Sequence, residues 1–162
     1  MRRTSKREWG GSECKRSELS VSVEEQGRKF TVSVSAVTVM PRKTHIDEKP
    51  FVNLLKCRCD YAIEILDKGV FFFVELKGSD IVKAAEQLAY TIANLESYRH
   101  LLDYSLYTSR HACIVSSQGA RPAILTRYQV FKRKIECRGF KVKCKTRQLT
   151  ANVDANGGVV YM

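Results

Sequence analysis

The amino-acid sequence predicts one domain that mixes β-strands and α-helices, of the α/β or α+β class. Several short segments alternate apolar with polar residues, as half-buried strands do. Two longer segments repeat their apolar residues at helical spacing. The sequence contains no internal repeat and no linker that would mark a second domain. Strands and helices are therefore expected to share one short chain and one fold.

The composition is that of a basic globular protein. The chain has 162 residues, of which 44% are hydrophobic and 28% charged, and this size suffices for a single core. The formal net charge of +11 favours acidic partners, nucleic acid before an anionic membrane. No apolar run approaches the ~20 residues of a membrane span, and the N-terminus lacks the apolar region of a secretory signal. A cytoplasmic location is expected, and the charge is also compatible with nucleoid or nuclear association.

The N-terminal third is expected to contain a tail and a β-hairpin. Residues 1–17 are basic and predict a flexible tail, with a nuclear address or a phosphate-binding arm as alternatives, and residues 18–162 form the single domain. Alternation over 19–23 and 30–39 predicts two strands, and Gly27 lies in the turn between them. Pro41 ends the hairpin, and the polar residues 42–50 are expected to form a loop.

The middle of the chain predicts two strands followed by a helix. Residues 57–66 and 70–76 are the strands, joined by a turn at Asp67-Lys68-Gly69. The second strand is apolar on both faces until Glu75, as expected of a central strand. Ser79 or Asp80 can cap the helix that follows, which is expected to continue to about His100. Its apolar stripe consists of Ile81, Ala84, Ala85, Leu88, Ile92 and Leu95.

The last third predicts a strand, a second helix and one or two further strands. Residues 111–116 form the first strand, and Gly139 ends the helix. The helix has an apolar side that comprises Ile124, Tyr128, Phe131 and Ile135. Its other side is expected to carry Arg127, Lys132, Arg133 and Lys134, which are either solvated or contact nucleic-acid phosphates. Strands are expected over 140–144 and 148–153, before a weakly ordered end.

Three charged residues accompany the central strands. Asp60 is placed on the first strand, while Glu75 and Lys77 share one face at the end of the second. Two carboxylates can bind a divalent cation, and a neighbouring lysine can orient water or stabilise the charge of a reacting phosphate. The carbonyl of Leu76 is a further candidate ligand. The alternative is a solvated surface pair of little consequence.

This arrangement resembles the core of the PD-(D/E)XK nuclease superfamily, whose fold is similar to that of the restriction endonucleases. Asp60, fourteen intervening residues, Glu75-Leu76-Lys77 at a strand end and a following helix carry the resemblance, over about residues 56–116. It implies a central mixed β-sheet flanked by helices, Mg²⁺ or Mn²⁺ held by Asp60 and Glu75, and water assisted by Lys77. Gln87 on the helix matches a glutamine present in some branches.

Two features of that family have no clear counterpart in this sequence. The proline that often precedes the aspartate is replaced by Cys59. An upstream glutamate stays unassigned, because Glu18, Glu24 and Glu25 all lie in sequence typical of strands.

The cysteines and histidines give weaker signals. Six cysteines occur without a C-x-x-C motif or a secretory signal, which favours reduced thiols over disulfides or a zinc site. The three histidines have no spacing typical of a zinc site or of a Cys–His dyad.

The sequence therefore predicts a Mg²⁺- or Mn²⁺-dependent endonuclease that acts on nucleic acid, DNA before RNA. Symmetric cleavage of a duplex would require two sites, which favours a homodimer. Two alternatives stay open, namely a non-catalytic nucleic-acid-binding module on the same fold and a small interaction or regulatory protein whose basic surface binds an acidic partner.

Overall fold

Two mixed β-sheets and three α-helices build the described part of the protein, so the mixed α and β class is as predicted. The computed structural model describes residues 18–117 and 126–162. The predicted tail, residues 1–17, lies outside the described residues, as does Ile124 of the second predicted helix. The strands are β1 (Glu18–Glu25), β2 (Arg28–Ser35), β3 (Arg42–His45), β4 (Tyr61–Ile65), β5 (Val70–Lys77), β6 (Ser109–Ser116), β7 (Phe140–Thr146), β8 (Gln148–Val153) and β9 (Val159–Tyr161). The helices are α1 (Phe51–Leu54), α2 (Ile81–Leu95) and α3 (Thr126–Glu136).

The first sheet has the strand order β1-β2-β8-β9. Strands β1 and β2 form the predicted antiparallel hairpin, and Gly27 adopts a φ of +79° in its turn. Strand β2 ends at Ser35, earlier than predicted, and continues the sheet through a parallel pairing with β8. Strand β9, where a weakly ordered end was expected, pairs antiparallel with β8. Segments far apart in the sequence thus share this sheet.

The second sheet has the strand order β3-β4-β5-β6-β7. Strands β3, β4 and β5 are antiparallel, whereas β5, β6 and β7 are parallel. Gly69, at a φ of +65°, closes the predicted turn between β4 and β5. The prediction of a loop over 42–50 is wrong for β3, whose polar residues lie at the sheet edge and are mostly exposed. An edge strand does not require apolar alternation, which is why the pattern did not reveal it.

Strand β5 separates two hydrophobic clusters, as its alternation predicts. Phe71 and Phe73 belong to the cluster beneath α2 and α3. Phe72, Val74 and Leu76 belong to the cluster between the two sheets, where the ring of Phe30 lies 5.5 Å from that of Phe72. The structure therefore has three layers, with helices on one face of the second sheet and the first sheet on its other face.

Helix α2 begins where the sequence predicts and ends earlier. The Asp80 side chain accepts a hydrogen bond from the backbone N–H of Lys83 (3.0 Å), which caps the first turn. All six residues of its predicted apolar stripe are buried. The α-helix ends at Leu95 and continues as a 3₁₀ turn over Glu96–Tyr98, so the predicted end near His100 is wrong by one turn.

The cysteines at 57, 59, 113, 137 and 144 are free thiols; Cys59 and Cys113 are buried and Cys137 is exposed. In the described parts of the chain, no helix is long and apolar enough to cross a membrane.

Candidate active site

Asp60 lies at the point where β5 extends beyond the start of its neighbour β4. Their ladder stops at the pair Tyr61–Val74, so the last three residues of β5 have no partner in β4. Instead, Oδ2 of Asp60 accepts a hydrogen bond from the backbone N–H of Leu76 (2.8 Å). The prediction that Asp60 is within the strand is wrong by one residue, because its side chain replaces the main-chain ladder at this position.

Two backbone contacts fix the position of Asp60. The carbonyl of Asp60 accepts a hydrogen bond from the N–H of Ile46 (2.9 Å). The preceding residue, Cys59, donates its backbone N–H to Oγ1 of the buried Thr91 (2.7 Å) on α2. Helix α2 and the segment after β3 thus hold the Asp60 carboxylate against the end of β5.

Glu75 is a buried carboxylate beside Asp60. Its side chain is on the helix-facing side of β5, the residue is only 2% exposed, and Oε2 has no hydrogen-bond partner among the described residues. Burial, and next the negative charge of Asp60, raise the pKa of Glu75 to about 8, although Lys77 and the backbone amide of Asp60 act in the opposite direction. A buried carboxylate with a raised pKa either holds a proton or binds a cation that balances its charge.

The environment of Asp60 is also unfavourable to a bare negative charge. Burial is the main reason that the pKa of Asp60 is raised, and the charges of Glu25 and Asp47 add to it. The hydrogen bond from Leu76 and the charge of Lys77 oppose this shift. Several acidic groups therefore act on one small volume at this end of the sheet.

Lys77 and Gln87, both predicted site residues, are in direct contact. Nζ of Lys77 donates to Oε1 of Gln87 (3.1 Å), and Nε2 of Gln87 donates to the carbonyl of Arg58 (3.0 Å). Within the described residues Lys77 forms no ion pair, so a neutral amide holds its ammonium group beside the acids. Its remaining donors stay available to a ligand.

Leu76, predicted as a carbonyl ligand, is suitably oriented. In an extended strand the N–H and C=O of one residue project to the same side, as the exchange of both bonds between paired residues requires. Since the N–H of Leu76 points to Asp60, its carbonyl faces the same flank of β5. The described residues contain no set of three His, Cys, Asp or Glu side chains that could bind a metal. The available donors are thus two carboxylates and one carbonyl.

Among the upstream glutamates, Glu25 is the one whose charge reaches the site. It raises the pKa of Asp60, Glu75 and Tyr61. Glu18 lies at the far end of β1, and Glu24 points to the opposite face of the sheet by alternation. The contact between the two sheets brings Glu25 to the site, and no local sequence pattern could have indicated it.

The basic residues of α3 are distributed around its exposed surface. Arg127, Arg133 and Lys134 are exposed and Lys132 is half-buried, while Tyr128, Phe131 and Ile135 are buried as predicted. At about 100° per residue they do not form a single stripe, so the prediction that one side of the helix carries all four is wrong. A row that the sequence interpretation missed consists of Lys141, Lys143 and Lys145, exposed along the edge strand β7. The alternation of lysine with apolar residues from 141 to 145 is the signal that could have revealed it.

No protein-family model, curated protein or solved structure matches this chain. Its function is therefore inferred from the residues of the site and from their geometry.

Proposed function

We propose that the protein is a metal-dependent nuclease of the PD-(D/E)XK type that hydrolyses phosphodiester bonds, most readily those of DNA. The observation that carries this proposal is the pair of carboxylates at the end of β5. Glu75 is buried with an unpartnered oxygen among the described residues, and Asp60 is held beside it by the backbone N–H of Leu76. Such an arrangement is costly for a protein unless a cation completes it.

The arrangement of elements supports the same proposal. Strands β3, β4 and β5 form an antiparallel meander, and β6 continues the sheet in parallel after α2. The site lies at the carboxyl end of the parallel strands, where ligands commonly bind in open sheets. We assign this second sheet to a restriction-endonuclease-like core, with the difference that its second face is covered by another sheet.

The residues present suit a magnesium or manganese ion. Oxygen donors from one or two carboxylates with the remaining positions left to water are typical of Mg²⁺ sites. Asp60, Glu75 and the carbonyl of Leu76 would hold the ion. When bound, the ion would supply polarisation of the phosphate and of a coordinated water molecule.

The chain's own residues would then position the reactants. Lys77, held by Gln87, would present its ammonium group to the water or to the phosphate oxygens. Gln87 would be a positioning residue, because it fixes Lys77 and is itself fixed by the carbonyl of Arg58. Asp60 would align the end of β5 through its bond to Leu76.

The test is cleavage of circular, linear and single-stranded DNA and of RNA, with Mg²⁺, Mn²⁺ or a chelator. Cleavage is expected with either metal and is expected to disappear in Glu75→Gln and in Lys77→Met. Glu86→Gln is the matched control, because Glu86 precedes Gln87 on α2 but contacts Lys83 (3.5 Å) instead of the site. Cleavage that persists in both site variants would contradict the assignment. Salt-sensitive binding of DNA without cleavage in either metal would favour a non-catalytic binding module.

A further inference from the structure

Arg28 lies at the same end of the molecule as the candidate active site. The backbone N–H of its neighbour Lys29 donates to the carbonyl of Arg147 (2.9 Å). The N–H of Arg147 in turn donates to the carbonyl of Ser116 (2.7 Å), which pairs in register with Lys77 at the end of β5. The turn of the β1–β2 hairpin is thus connected to the site by two hydrogen bonds and one strand pairing.

Arg28 is the one lysine or arginine residue that is buried as a whole among the described residues, being 7% exposed. It occupies the first inward-facing position of β2, before Phe30. Its Nη2 donates to Oε1 of Gln26 (3.1 Å), and its Nε is buried without a hydrogen-bond partner in the described residues. The guanidinium therefore has one neutral partner and one unsatisfied donor.

Arg42 and Arg58 differ from Arg28 because each is paired with a carboxylate. The buried Nε of Arg110 is also without a hydrogen-bond partner among the described residues, but its guanidinium lies over the rings of Tyr104 and Phe140. Arg42 contacts Glu64 at 2.7 Å, and Arg58 contacts Asp47 at 2.7 Å. The cross-strand neighbour of Arg28 is Glu25, but these two described residues form no ion pair within 4.0 Å. A buried cation without a carboxylate is costly, and an anion from outside would satisfy it.

The backbone around Arg28 also adopts uncommon conformations. Gln26 and Arg147 have positive φ values of 47° and 64°. Among the described residues, only one other non-glycine residue, Ala36, has a positive φ. For Gln26 the positive φ follows from the two-residue hairpin turn that it forms with Gly27 (φ +79°), a turn that requires positive φ at both positions. The turn brings Oε1 of the Gln26 side chain within hydrogen-bond distance of Nη2 of Arg28 (3.1 Å).

We propose that Arg28 is the anchor of a phosphate-binding site and that Gln26 Oε1 takes the place of a phosphate oxygen when the site is free. Nε and Nη2 form one edge of the guanidinium, the edge that binds two oxygens of one phosphate in parallel. A phosphate that displaces Gln26 would satisfy both donors. In the proposed nuclease, on which this choice of ligand rests, the phosphate belongs to the bound strand, beside the one that reacts.

The anion site is tested first without nucleic acid. Inorganic phosphate is expected to raise the melting temperature of the wild type by about 3 °C over sodium chloride of equal ionic strength. Arg28→Met is expected to abolish this difference because the donors are removed. Gln26→Glu is expected to abolish it as well, because the new carboxylate occupies the guanidinium, and to melt higher than the wild type in chloride. The matched control Lys141→Gln, an exposed lysine at the other end of the second sheet, should respond as the wild type does.

The source of the phosphate is tested with a fluorescent DNA duplex in a chelator, so that cleavage plays no part. Arg28→Met is expected to raise the Kd about tenfold and to lower the slope of log Kd against log salt by about 0.9, the value for one phosphate. An equal phosphate response in the wild type, Arg28→Met and Gln26→Glu, or no response in the wild type, would overturn the site. A phosphate response with unchanged DNA binding would show that the site takes free phosphate and would overturn the choice of a strand. Failure of the nuclease proposal alone would appear as absent cleavage with the phosphate response intact.

Discussion

Replacing Glu75 with glutamine is expected to stabilise the protein at alkaline pH relative to the wild type. The pKa of Glu75 in the folded protein is raised to about 8 by burial and by Asp60, whereas the unfolded chain ionises near 4.5. Between these values the folded state holds a proton that the unfolded state has released. Wild-type stability therefore falls as the pH rises through this window, and glutamine, which does not titrate, removes this pH dependence.

The size of the effect follows from the shift in pKa. Each pH unit between 4.5 and 8 costs the wild type about 1.4 kcal/mol of unfolding free energy through this one group, or about 3 kcal/mol at pH 7. The glutamine amide occupies the same unpartnered position and costs about 1–3 kcal/mol at every pH. The variant should thus equal or fall below the wild type at pH 5 and exceed it at pH 9.

Urea unfolding at pH 5, 6, 7, 8 and 9 measures this difference, first in a chelator and then with Mn²⁺. Because a cation neutralises the charge of Glu75, Mn²⁺ at a hundred times its Kd should stabilise the wild type by about 2.7 kcal/mol. The glutamine variant should gain much less. This readout does not depend on cleavage.

Glu64→Gln is the matched control, because Glu64 is also buried but fully paired. Its carboxylate accepts hydrogen bonds from Nε of Arg42 and from the hydroxyl of Tyr107, both at 2.7 Å. This variant should be destabilised by about 2 kcal/mol at neutral pH and keep the response to Mn²⁺. If the stabilities of wild type and Glu75→Gln fall in parallel from pH 5 to pH 9, the inference that Glu75 is an unpaired buried acid is refuted.

Three further predictions concern other parts of the chain. Burial lowers the pKa of His111 to about 4, so the free energy of unfolding of the wild type should fall by up to about 3 kcal/mol as the pH decreases from 6.5 to 4. In His111→Gln the free energy of unfolding should change less over this pH range. Gly157→Ala should destabilise the protein by more than about 2 kcal/mol in urea, because the new Cβ would lie 2.7 Å from the Lys68 carbonyl; Gly27→Ala, with a similar φ and open space, should cost only about 1 kcal/mol. Neutralising the basic residues of α3 should weaken DNA binding equally for all sequences and lower the salt slope by about 0.9 for each phosphate that is no longer neutralised, measured by anisotropy; the residues to change are Arg127, Lys132, Arg133 and Lys134.

The elements that the sequence predicted have either two sides that differ in environment or, as in β4, β5 and β6, an apolar run that is buried on both sides. The alternation in β1 and β2 and the apolar stripe of α2 arise because one face is buried and the other is not. Strand β3 and strand β9 lie at sheet edges and are short, so their residues carry no comparable pattern. Helix α1 has four residues, which is too short for a periodic signal.

The sequence predicted the site residues that lie in consecutive elements of the chain and did not identify those that come from the first sheet. Asp60, Glu75, Lys77 and Gln87 belong to consecutive elements, so their proximity follows from one hairpin and one helix. Glu25 and Arg28 come from the first sheet, and they reach the same end only because β2 and β8 pair and the two sheets stack. Contacts of that kind depend on the tertiary fold and leave no trace in spacing.

The buried carboxylates of Glu64 on β4 and Glu75 on β5 differ in whether the fold itself supplies their hydrogen-bond partners. Glu64 is satisfied by an arginine and a tyrosine, so this fold can pair a buried acid where nothing else is to bind. Glu75 lies on β5, four positions after Phe71, the strand partner of Glu64. Among the described residues Oε2 of Glu75 has no hydrogen-bond partner, and neither has Nε of Arg28 at the same end of the molecule. The described residues Glu75 and Arg28 do not form an ion pair with each other. In a divalent cation bound to a phosphodiester, the cation would balance the negative charge of Glu75 and the phosphate would balance the positive charge of Arg28. That is the ligand that we infer for this end of the molecule.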